Sequence, residues 1–139
     1  MSDIKGKYSA ASTITCALDN LANGGTATSN NIDNSATLAP DYVIELAIAG
    51  TAAATAWLEV RVLQSVDGGS TWGTWESAKL LGVIALTATP QKASFSMVQD
   101  AGFMAAPEHF KIAVKNNTGA ALSASGNVLK AQPTFLQVV

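Results

Sequence analysis

Period-two alternation of apolar and polar residues constrains this chain more than any other feature. Tyr42, Ile44, Leu46 and Ile48 alternate with Val43, Glu45, Ala47 and Ala49. Leu58, Val60 and Val62 alternate with Glu59 and Arg61, and Phe110, Ile112 and Val114 alternate with His109, Lys111, Ala113 and Lys115. Successive side chains of a strand point to opposite faces, so each stretch reads as a strand with one face on a core. No apolar stripe of helical period competes. Between the second alternating stretch and the apolar run Leu80 to Leu86 lies Ser65-Val66-Asp67-Gly68-Gly69-Ser70-Thr71-Trp72. Asp-Gly-Gly supplies what a turn needs, because glycine tolerates positive φ and an Asp side chain can bond its own backbone two residues on. The middle of the chain therefore reads as a β-hairpin.

Around it the remaining elements fall in order. A first strand covers about residues 12–18. Residues 19–36 form a long Asn- and Gly-rich loop in which Thr26 to Ser29 reads as a short edge strand. Gly50 to Thr55 is a small-residue connection. Leu80 to Leu86, apolar nearly throughout, suits a strand covered on both faces. Ala93, Phe95 and Met97 alternate with Lys92, Ser94 and Ser96. Gln99 to Glu108 reads as a loop plugged by Phe103 and Met104. Leu122 to Lys130 is a returning strand, which Pro133 separates from the segment Thr134 to Val139. About seven or eight short strands, with turn signals roughly every ten residues, predict an all-β antiparallel sandwich, jelly-roll or immunoglobulin-like. It is expected as a single domain over residues 12–139, preceded by a flexible N-terminal arm over residues 1–11.

Charged residues make up only 13 % of the 139, well below the usual quarter, which points to a surface covered in use by copies of the chain or by a larger assembly. The net charge is −2 and the eight basic residues are scattered, so no face is built to neutralise phosphates and no nucleic-acid partner is expected. Cys16 shares a strand face with Ile14 and Leu18 and reads as a small buried hydrophobe. Alone, it asks for no oxidising compartment. The first seven residues lack the apolar core of a signal peptide, and no run of about 18 apolar residues predicts a membrane helix, so synthesis in the cytoplasm without membrane association is expected.

Chemistry finds little purchase. His109 is the only histidine, expected at the surface, and no nucleophile elbow accompanies it. One His and one Cys are too few for zinc, the acidic turn residues do not follow a calcium-loop pattern, and neither Gly-Gly pair opens a phosphate loop, so no metal or cofactor is expected. Glu45, Glu59, Glu76 and Glu108 offer no recognisable glycosidase pair. Trp57 and Trp75 are the candidate sugar contacts, if neighbouring strands present them as a platform, and cross-strand packing is the alternative.

Residues 65–72 fit Ser-x-Asp-x-Gly-x-Thr-Trp and resemble the Asp-box of sialidases and many unrelated β-proteins. That resemblance implies a folding device built from Ser65, Asp67, Gly69, Thr71 and Trp72, remote from any active site. Three further passages carry a second resemblance: Leu18 to Gly24 with Ile32 to Ser35, Val60 to Gly69, and Pro107 to Asn127. Together they resemble small β-sandwich structural proteins of tailed-bacteriophage virions, over about residues 12–131. The resemblance implies a non-enzymatic capsid decoration or cement protein at the virion surface, working as a homo-oligomer, a trimer included, against the major capsid protein. A tail or neck component is the alternative within that setting, and a carbohydrate-binding module the alternative outside it. Candidate protein contacts are Ile4, Tyr8, Leu21, Ile32, Phe135 and Leu136.

Overall fold

In the computed structural model, residues 3–50 and 57–138 are described, the side chains of residues 137 and 138 excepted. The expected connection from Gly50 to Thr55 therefore lies outside the described residues apart from Gly50. Among the described residues there are ten strands: β1 (Ile4–Tyr8), β2 (Ser12–Ile14), β3 (Thr26–Thr28), β4 (Ile32–Asp33), β5 (Asp41–Ile48), β6 (Trp57–Ser65), β7 (Lys79–Ala85), β8 (Gln91–Ser96), β9 (His109–Asn117) and β10 (Val128–Val138). A single 3₁₀ turn, Trp75–Ser77, interrupts the β6–β7 connection.

The strands form two antiparallel sheets. One runs β1-β10-β5-β8 with β2 also on β10, and the other β3-β9-β6-β7 with β4 also on β9. β1 and β2 lie end to end along one edge of β10, and β3 and β4 along one edge of β9. Counting each such pair as one interrupted strand gives eight positions ordered 1-8-3-6 and 2-7-4-5. That is the strand order of a jelly roll.

The alternating stretches turn as their pattern requires. Ile44, Leu46 and Ile48 of β5, Leu58, Val60 and Val62 of β6, and Phe110, Ile112 and Val114 of β9 all face the core. Tyr42 and Phe110 meet edge to face across the two sheets, with centroids 5.2 Å apart at 72°, a favoured aromatic geometry. Phe103 closes one side of the core.

Four expectations change. β7 is an edge strand, with Leu80 and Val83 exposed. Leu81 is an extra residue between the pairs Val60–Gly82 and Arg61–Leu80, and this bulge rephases the strand so that Leu81 and Ile84 both point inward. Met104 is fully exposed, leaving Phe103 alone as the plug. Pro133 lies inside β10 instead of ending it. Its ring nitrogen has no hydrogen to donate, and it sits where β2 has stopped and β1 begins, so only its carbonyl is used, by Ser9 N–H at 3.1 Å. Lastly, the first strand stops at Ile14. Cys16 is half-buried beyond it and packs against the core, and burial pushes its thiol up to about 11.

Candidate interaction surface

Residues 4–8, expected within a flexible arm, are laid along the end of β10 in the register Tyr8–Thr134, Lys7–Phe135, Gly6–Leu136, Lys5–Gln137 and Ile4–Val138. β5 pairs with β10 only as far as Asp41–Thr134. From Phe135 onward β1 and β10 thus run on as a two-stranded ribbon past the end of β5. The reason β5 stops is local. Ala39, two residues back and the next position whose main chain would face β10, gives its N–H to Asn34 Oδ1 at 2.8 Å and takes Asn34 Nδ2 on its carbonyl at 2.9 Å, so neither group is left for β10. Since Pro133 uses the β1 side, alternation turns the main-chain N–H and C=O of Leu136 toward this vacated side.

The ribbon is apolar for an exposed element. Ile4, Tyr8 and Leu136 share its outer face at 70 %, 67 % and 75 % exposure, with Gly6 leaving Leu136 uncovered. Phe135 lies on the opposite face with Lys5 and Lys7 and packs partly against the core. The vacated side opens into a groove of about 550 Å³ lined by Tyr8, Val43, Val98, Met104, Phe135 and Leu136. Asp41 in its wall is already engaged, by Ser96 Oγ at 2.7 Å on Oδ2 and by Val98 N–H at 3.1 Å on Oδ1. Four of the six candidate contacts therefore come together here. The other two do not: Ile32 is only 6 % exposed inside the core, and Leu21 packs against it. Their positions in a polar loop suggested a surface role, but β4 turns Ile32 inward opposite Phe110.

The Ser65–Trp72 segment is a closed set of hydrogen bonds. Asp67 Oδ1 accepts from Ser65 Oγ at 2.7 Å, Ser70 N–H at 3.1 Å and Thr71 N–H at 2.9 Å, and Oδ2 accepts from Thr71 Oγ1 at 2.6 Å. Gly69 N–H donates to Ser65 Oγ at 2.9 Å. These donors hold the Asp67 carboxyl down at about 2, Thr71 contributing most. Gly68 and Gly69 both take positive φ, 71° and 87°. The connection is longer than a tight hairpin, running over residues 66–78 before β7, and it folds back across the outer face of the β6–β9 sheet. It covers His109, which is 8 % exposed and not at the surface as expected, with Gly69 beside its ring and Asn31 Nδ2 at 3.0 Å from Nδ1.

Trp72 and Trp75 are half-buried in that connection. Lys111 Nζ lies 4.5 Å from the centre of the Trp72 ring, and Arg61 Cζ and Lys115 Nζ lie 4.8 and 5.9 Å from that of Trp75. Arg61 also donates to the Trp75 carbonyl at 3.0 Å and pairs with Glu59 at 2.6 Å. Trp57 stands on the same sheet at 46 % exposure. No group of three potential metal ligands converges among the described residues, and no helix among them is long and apolar enough to cross a membrane.

No family model matches the chain, and no curated protein matches it. Among solved structures, the N-terminal cellulose-binding domain of β-1,4-glucanase C from Cellulomonas fimi, determined by NMR, is similar at 17 % identity, over 91 % of this chain and 77 % of that one, with a TM-score of 0.41. A likeness that distant bears on neither the site nor the ligand.

Proposed function

We propose that this jelly-roll chain is a non-enzymatic structural protein of a tailed-phage virion, a capsid decoration or cement protein that docks through the β1–β10 ribbon and its groove. The observation that carries the reading is the gathering of Ile4, Tyr8, Phe135 and Leu136 on one projecting, open-edged ribbon. Exposed apolar side chains beside unpaired main-chain groups suit addition to a neighbouring subunit's surface. The partner is the major capsid protein, and the working form is a homo-oligomer, a trimer at local three-fold positions in the simplest arrangement. Binding the assembled shell better than its free subunits stabilises the shell by mass action. The virion surface is then its location, and a tail or neck position is the alternative within the same role.

Co-sedimentation with mature empty capsids that lack the protein tests this, with tail-free and tailed particles run side by side. Saturable binding to tail-free shells, at the number of capsid subunits or a simple fraction of it, is the expected result. Retention of a few copies on tailed particles alone moves the protein to the neck or tail, and binding to neither rejects the virion role.

A second reading, a carbohydrate-binding module, draws on the exposed Trp57 ring standing on the same sheet face as Trp75. The Trp75 ring already carries Arg61 and Lys115, so only Trp57 offers an open platform. A glycan array that stays silent at millimolar sugar removes this reading.

A further inference from the structure

The β1-bearing sheet ends on β1, and among the described residues no strand pairs with its outer edge. Ser9 N–H bonds the Pro133 carbonyl, so alternation along the pair makes Lys7 and Lys5 the residues that exchange main-chain bonds with β10. The N–H and C=O groups of Ile4, Gly6 and Tyr8 consequently point away from the sheet. Lys5 and Lys7 share the other side-chain face, about 6.8 Å apart along the strand. Neither lysine belongs to an ion pair among the described residues.

We infer that this edge receives an extended segment of another protein as an added strand, with acidic residues opposite Lys5 and Lys7 and small or apolar residues opposite Ile4, Gly6 and Tyr8. This deepens the docking role proposed above and rests on it. Two unanswered lysines at alternate positions call for a partner of opposite charge with the same period, since opposite charges directly across a ladder stabilise it and like charges destabilise it. Lysines on an edge also serve to repel strangers. A purely protective edge, however, has no use for Ile4 and Tyr8 standing exposed on its other face. A second copy is the poorer occupant. Two-fold pairing about Gly6 sets Lys5 against Lys7 twice. Two-fold pairing about Lys5 sets that residue against itself, with only Asp3 to answer Lys7, and two-fold pairing about Ile4 answers Lys5 with Asp3 but leaves Lys7 without an opposite charge.

The test uses the full chain, isotope-labelled, titrated with three capped synthetic heptapeptides in which valine alternates with glutamate, with lysine or with serine. The glutamate peptide is expected to move the amide signals of Ile4, Gly6 and Tyr8, to bind at least tenfold tighter than the lysine peptide, and to weaken as salt is raised. Charge reversal in Lys5→Glu/Lys7→Glu is expected to exchange the preferences of the glutamate and lysine peptides. Lys5→Ala/Lys7→Ala, which leaves both charge signs without an answer, is expected to bind all three alike. Equal binding of the three peptides by the unaltered chain overturns the inference. So does a response confined to the Lys111 and Lys115 face, or concentration-dependent self-association through the β1 amides. Shell binding by the unaltered chain without any glutamate-peptide response at β1 overturns this inference and leaves the virion role standing. A glutamate-peptide response without shell binding does the reverse.

Discussion

The Phe95 ring of β8 lies against Gly82 of β7, one residue from each sheet, and a methyl group on Gly82 would run into that ring. The missing side chain is what lets the two edge strands approach on this side of the sandwich. Gly82→Ala is expected to destabilise the fold by about 1–3 kcal/mol through overpacking. In Gly82→Ala/Phe95→Ala the clash is gone, so the glycine substitution should cost much less there than in the parent. Urea unfolding of the four proteins measures the coupling, and purely additive costs would reject the contact.

Asn34 is buried and closes the chain on itself. It holds both main-chain groups of Ala39, reaches the Pro107 carbonyl at 3.4 Å, and receives Tyr42 Oη at 3.3 Å. Asn34→Ala removes these bonds together and strips Tyr42 Oη and the Pro107 carbonyl of their buried partner, at an expected cost of about 2–3 kcal/mol. It also frees Ala39 to continue the β5 ladder, so hydrogen exchange should show greater protection at Leu136 even as overall stability falls. Unchanged exchange at Leu136 would show that Asn34 does not set the end of β5.

Asp67 is held at about 2, below its ordinary 3.8, by the donors that surround it. A folded value below the unfolded one means that the contribution is complete above about pH 4 and is lost as pH falls through 3.8 toward 2. Acid titration of the melting temperature should therefore be steeper between pH 4 and pH 2 in the parent than in Asp67→Asn. Parallel curves would show that the hairpin carboxylate does not contribute to stability.

Leu38 takes a left-handed backbone, φ 51°, while its side chain stands 73 % exposed. An exposed leucine gains little from burial and pays for the conformation, which Asn adopts more readily. Leu38→Asn is expected to raise stability by about 0.5–1 kcal/mol, read from the urea midpoint. A loss of stability would mean that the side chain contributes packing which its exposure does not reveal.

Tyr8 and Leu136 project from the ribbon without supporting the core. Tyr8→Ser/Leu136→Ser is expected to leave the unfolding midpoint nearly unchanged, as surface substitutions do, and to weaken shell binding at least tenfold. A matching change at Leu80 and Val83, also exposed but on the far edge strand β7, should leave shell binding intact. Equal losses from both pairs would take the ribbon out of the interface.

The sequence by itself determined whatever depends on neighbours a few residues apart. The faces of β5, β6 and β9 follow from period two, because a strand's alternation is set by its own backbone. The Ser65–Thr71 turn follows from Ser, Asp and two glycines meeting within seven residues. Tertiary structure decided the rest, through partners distant along the chain. His109 is buried because the 66–78 connection folds over a strand it is not next to in sequence. Leu80 and Val83 are exposed because β7 falls at an edge and Leu81 bulges, and no local pattern records either. The N-terminal residues become a strand only because β10 runs on past β5 and offers them an edge, in a contact that joins Ser9 to Gln132 across 123 positions of chain. Local propensity cannot specify such pairings, since their closure entropy is repaid only when the whole sandwich forms.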